Sequence, residues 1–133
     1  MNVPSSLHAS ALVALGGGTG AVLRFHLGRV IGTLTGHNAT LPWGTFAINA
    51  SGSLLMGVLA GWLARHGTGG EAWRLLLGVG LLGGFTTFSA FSLEAALLIQ
   101  RGMIGAAALY AAGSVLAGIA GLFLGLQIVR GLA

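Results

Sequence analysis

Residues 83–91 read Gly-Gly-Phe-Thr-Thr-Phe-Ser-Ala-Phe and lie inside an apolar stretch from Ala72 to Gln100. Paired glycines, paired β-branched threonines, a serine and three aromatics make poor α-helix. An interrupted helix in hydrocarbon leaves backbone carbonyls and amides to be satisfied by protein or by something held in a cavity. The chemistry this string predicts is therefore ion or substrate coordination at a helix break.

Other groups suited to ion handling recur at helical spacing. Thr45, Asn49, Ser53, Gly57 and Gly61 fall four residues apart and form one stripe. The glycines read as a packing seam. The Asn49 carboxamide either glues helices, caps a broken segment, or offers its two N–H donors to an anion. Phe88 and Phe91 share a face if helix resumes after Thr87. They serve as core, or turn positive ring edges toward an anion. Glu94 follows about one turn later, and an ionisable group inside a membrane span is a functional candidate by default. Its alternative is a carboxylate bonded to neighbouring hydroxyls or to an arginine of a partner. Tyr110, Ser114 and Gly118 share another face, where the two hydroxyls form a donor track or bond their own helix. Arg24, in series with Gly16, Gly20 and Gly28, either snorkels and anchors or draws anions to a vestibule.

The elements that must position these groups are membrane spans. The 133-residue chain is 55% hydrophobic and 6% charged, against about 25% charged for soluble domains. Four apolar segments, at about 7–27, 43–63, 72–100 and 103–129, each reach the roughly 20 residues that cross a bilayer. They form a single four-helix domain. Polar punctuation separates them at Gly36-His37-Asn38, 65–71 and Gln100-Arg101-Gly102. Trp43, Trp62 and Trp73 fall where interfacial belts expect them, and Pro42 suits the first turn of the second helix. At about 1.5 Å per residue the third segment would be about 43 Å long if continuous, so it tilts or breaks.

Arg65, Arg74 and Arg130 fall on the side of the termini, and Arg24, Arg29 and Arg101 on the other. This balance gives no positive-inside bias. Either the charges are too few to judge, or the chain inserts both ways and assembles as an antiparallel homodimer. Scattered arginines without a basic patch exclude nucleic acid as a partner. The absence of cysteine excludes thiol chemistry. No nucleophile–base pair, paired carboxylates or metal-ligating cluster can be assembled from two glutamates and four histidines, so no catalytic residue is assigned.

The chain resembles the Fluc (CrcB-type) fluoride channel family over nearly its whole length. The resemblance rests on Gly17-Gly18-Thr19-Gly20-Ala21 with Arg24, on Gly44-Thr45 with Asn49 and Gly52, and on 83–92 with Glu94. The 83–92 string is the most specific of these. The resemblance implies a four-helix subunit in a bacterial inner membrane. It implies an antiparallel, dual-topology homodimer with two fluoride pores, and a third helix broken mid-membrane. A structural sodium ion on the two-fold axis is implied, with Gly83 and Thr86 matching the carbonyl ligands. Phe88, Phe91 and Asn49 match pore-lining positions, and Tyr110 and Ser114 match a polar track. Gly118 stands where that track leads one to expect a serine.

Two other readings compete. A small dual-topology, proton-coupled multidrug exporter also has four spans and balanced charges, but it needs an acidic residue on the first span, where this chain has none. A non-transporting membrane adaptor predicts no anion leak at all.

Overall fold

The computed structural model describes residues 5–36, 39–66 and 70–131, so His37 falls outside it. Among the described residues four segments are helical, long and apolar enough to cross a membrane, and no strand occurs. The protein is an all-α, multi-pass integral membrane protein.

Helix α1 (Ser6–Thr35) starts at Ser5, whose hydroxyl accepts from His8 N–H at 3.4 Å. It runs well past Leu27, where the hydropathy suggested an end. Nothing breaks it before Gly36, whose φ of 82° suits glycine. The Thr33 and Thr35 hydroxyls bond back to the carbonyls of Val30 and Ile31. Helix α2 (Trp43–His66) follows Pro42, whose carbonyl accepts from Phe46 N–H at 3.1 Å.

The third apolar stretch is two helices. Helix α3 (residues 71–85) opens with Glu71 clasping Arg74 through two hydrogen bonds of 2.8 Å. It widens into π-turns over Arg74–Leu82 and closes on Gly83–Phe85. Thr86 (φ −80°, ψ 157°) and Thr87 (φ −150°, ψ 118°) are extended. Helix α4 (Phe88–Gln100) then begins. The non-helical stretch is narrower than composition suggested, because Gly83 keeps helical dihedrals (φ −64°, ψ −38°).

A tight turn joins α4 to α5 (Ile104–Gly131). Gly102, at φ 74°, lets its own N–H reach Ile99 carbonyl while Met103 N–H reaches Leu98 carbonyl, both at 2.9 Å. The turn folds α5 back along α4 and brings Tyr110 against Leu98 and Ala107 in a small core, flanked by Phe46 and Phe91.

Two glycine seams hold the bundle together. A Cβ on Gly16 or Gly20 of α1 would strike the carbonyls of Leu76 or Leu81 on α3, and one on Gly84 would strike Gly17. On the other seam, a Cβ on Gly57 would meet Leu122 carbonyl, and one on Gly125 would meet Leu54 carbonyl. Lipid tails are as apolar as leucine, so backbone approach of this kind, rather than hydrophobic burial, drives association of the helices. The spacing of four that suggested seams on the first and second segments thus marks real contacts, α1 with α3 and α2 with α5.

Candidate functional site

The site is built around the two extended threonines. Thr87 caps α4, its hydroxyl accepting from Ala90 N–H at 3.2 Å. Its backbone is then clasped from α2. Thr87 N–H donates to Asn49 Oδ1 at 2.8 Å, and Asn49 Nδ2 donates to Thr87 carbonyl at 3.0 Å. This pairing fixes the carboxamide's orientation, since exchanging O and N would face donor with donor. Of the two Asn49 N–H donors weighed from sequence, one is committed to the backbone.

These bonds also set which carbonyls lose their helical donors. In a continuous helix Thr87 N–H would reach Gly83 carbonyl and Ala90 N–H would reach Thr86 carbonyl. The first goes to Asn49 and the second to the Thr87 side chain. The Thr86 side chain instead bonds Leu82 carbonyl at 2.9 Å. The C-terminal end of α3 and the N-terminal end of α4 therefore meet here. Carbonyls carry partial negative charge on one side, and amides carry partial positive charge on the other.

Asn49, Thr86, Thr87, Phe88, Phe91 and Ser114 line one open groove of about 450 Å³. Ser53 and Gly118 line it too. Phe88 is 79% exposed at its rim. The Phe88 and Phe91 rings lie 5.5 Å apart, and Phe91 lies 5.3 Å from the Tyr110 ring. Among the described residues, Ser114 Oγ is the buried side-chain oxygen without a hydrogen-bond partner. It does not bond back to its own helix, as serines in membranes commonly do.

A second cluster adjoins the first through Thr87 and Phe91. Thr45 Oγ1 donates to Glu94 Oε1 and Tyr110 OH donates to Glu94 Oε2, each at 2.7 Å. Glu94 is thus bonded to neighbouring hydroxyls within its own subunit. Thr45 and Glu94 face a cavity of about 500 Å³ beneath the α1–α2 turn, which half-buried Arg24 also lines. Every site residue singled out in the sequence thus lies in one of two adjoining clusters, save Gly83, which is one helical turn before Thr87. Sequence reasoning missed Arg29, which lines the same cavity, and the central part played by Thr87. The second was detectable as an N-cap threonine three residues before Ala90. Among the described residues no group of three His, Cys, Asp or Glu could hold a metal ion.

Comparison with known proteins finds relatives over most of the chain. Residues 11–126 match the family described as CrcB-like protein, Camphor Resistance (CrcB). The fluoride-specific ion channel FluC of Novosphingobium aromaticivorans is 74% identical over 125 residues, covering 94% of this chain and 98% of that protein. FluC 2 of Nitrobacter hamburgensis is 52% identical over 90% of this chain and 94% of its own. FluC of Erythrobacter litoralis is 51% identical over 98% of both. On this match, the chain belongs to the CrcB-like family of membrane proteins.

Proposed function

We propose that this protein is a passive, fluoride-selective ion channel, not an enzyme, which lets fluoride leave the cell and so relieves its toxicity. The reading is carried by near-full-length similarity to proteins named fluoride-specific ion channels. The geometry supports it: hydroxyl, carboxamide and aromatic groups line an open groove on the face of an apolar bundle, with few full charges.

Taking a bare anion into hydrocarbon is prohibitive unless donors replace its water. Here Arg24 offers positive charge at the mouth. The Thr45 and Tyr110 hydroxyls, held ready on Glu94, exchange from carboxylate to passing anion. Beyond the Phe91 edge wait the second N–H of Asn49 and the unpaired Ser114 hydroxyl, with Phe88 at the rim. The N-terminus of α4 adds favourable potential for an anion. Fluoride is small and accepts strong hydrogen bonds, so a narrow path of neutral donors favours it over chloride.

The functional unit in this reading is an antiparallel homodimer with two pores in a bacterial inner membrane. A groove carrying Asn49, Thr86 and Ser114 is a poor surface to leave against lipid tails. A second copy would cover it and Phe88. Balanced arginines permit opposite insertion. Residues 86 and 87 are read as a break near mid-bilayer, set back to back with the partner's. There the Gly83 and Thr86 carbonyls, deprived of their helical donors, are hard oxygen ligands suited to a structural sodium ion. That fixed positive charge would offset part of the anion's desolvation in both pores.

The exporter reading gains nothing from the site, since Glu94 is held by two hydroxyls and sits off the first span. The deciding experiment is passive efflux from proteoliposomes loaded with fluoride or with chloride, followed by ion-selective electrode. Fluoride-only release is expected. Chloride release at a comparable rate would overturn the assignment.

A further inference from the structure

The cavity beneath the α1–α2 turn carries three formally charged side chains: Arg24, Arg29 and Glu94. Glu94 is tied to Thr45 and Tyr110. Neither arginine is ion-paired; among the described residues the one salt bridge is Arg74–Glu71. Arg24 and Glu94 cancel in charge. The mouth is left with one net positive charge, which loss of Arg29 would remove.

Arg29 is also held in place. Its guanidinium carbon lies 5.6 Å from the centroid of the Phe25 ring, and Phe25 lines the same cavity. A cation–π contact keeps a long, exposed side chain over the opening rather than extended into solvent. Arg29 is exposed toward the Gly36 end of α1, in the cavity that Pro42 and Trp43 also line. A cavity with one net positive charge and low-dielectric walls concentrates anions locally.

We propose that Arg29, clipped to Phe25, adds to Arg24 the charge that tips this mouth from neutral to electropositive, and so recruits the permeating anion to it. It acts at a distance and does not touch the ion along the groove. The inference rests on the fluoride-channel reading above and adds to it a specific recruiting residue.

The test is fluoride current through the full-length protein in planar bilayers at low fluoride, with and without added salt of an impermeant anion. One unit charge about 10 Å from the ion's path in a water-like medium changes local anion concentration roughly two-fold. R29Q is expected to lower the current by about that factor at low ionic strength. The deficit should vanish near about 1 M added salt, where the screening length falls to about 3 Å. R29K, which keeps the charge, should stay near wild type, and F25L should fall between R29Q and wild type. Equal currents for R29Q and wild type at low salt would overturn the proposal. So would a deficit in R29Q that persists unchanged at high salt, which marks a structural role, or loss in R29K equal to that in R29Q. Wild-type current in F25L would remove the clip. A wild-type protein that passes no fluoride would sink the channel reading as well. Normal wild-type current with a salt-insensitive R29Q would sink this inference alone.

Discussion

Asn49 and Thr87 hold each other by two hydrogen bonds, one in each direction, between a side chain of α2 and a backbone outside any helix. One contact thus does two jobs. It satisfies the backbone where α3 ends and α4 begins, and it strips Gly83 carbonyl of its helical donor. Stability and the proposed ion site cannot be separated at this residue.

Asn49→Ala should therefore damage both. It leaves the Thr87 N–H and carbonyl without partners, at about 1–3 kcal/mol for each buried group. Asn49→Asp should be no better, because it sets a carboxylate oxygen against Thr87 carbonyl. Thermal unfolding in detergent should show a lowered midpoint for both variants, and fluoride efflux should fall at least about ten-fold. An Asn49→Ala protein with wild-type melting and efflux would remove the residue from both roles.

Tyr110 donates to the Glu94 carboxylate, which also accepts from Thr45, so the contributions of Tyr110 and Glu94 should be coupled. Tyr110→Phe keeps the ring against Phe91 and removes only the donor. Efflux from Tyr110→Phe, Glu94→Gln and the double variant closes a cycle, and coupling of about 0.5–3 kcal/mol is expected for groups in one network. Strict additivity would mean that the hydroxyl and the carboxylate act independently.

Much of this arrangement is legible from residue types, and the reasons for the remainder are physical. Glycines four apart reported the seams because backbone contact tolerates no Cβ. The Gly83–Phe91 string announced irregular backbone, yet its glycines are helical and its threonines are not. The signal missed was Thr87 as the cap of Ala90 N–H; capping of the broken segment by Asn49 was among the readings weighed, and the structure shows that contact. No local pattern states that Asn49 faces Thr87. Nor does it state that Phe25 and Arg29, toward the end of α1, line a cavity shared with Glu94. The end of α1 was misplaced because hydropathy measures the span, whereas Gly36 ends the helix.

The seams make a prediction that separates space from helix propensity. Gly20→Ala and Gly125→Ala place a methyl group into carbonyls of the neighbouring helix. Both should reduce the yield of monodisperse protein on size-exclusion chromatography. Gly32→Ala and Gly105→Ala meet nothing within 4 Å. They should be neutral or stabilising by up to about 1 kcal/mol, the helix-propensity gain of alanine over glycine. Indistinguishable behaviour of the two pairs would contradict the close crossings.

The last prediction concerns the donor that Gly118 lacks. Ser53, on α2, lines the groove beside Ser114, and its Oγ lies 3.4 Å from where a Cβ on Gly118 would sit. The hydroxyl expected from α5 is thus available from the facing helix. Ser53→Ala should lower fluoride efflux several-fold with little change in melting, because a donor to a transient ion is lost rather than a packing contact. Gly118→Ser alone should change little, since a hydroxyl already occupies that part of the groove. In the Ser53→Ala background the same substitution should restore efflux, because removing the Ser53 hydroxyl leaves room for the new one in its place. If Ser53→Ala conducts like wild type, the path does not pass this hydroxyl. If Gly118→Ser fails to rescue a Ser53→Ala deficit, the two positions do not serve one site.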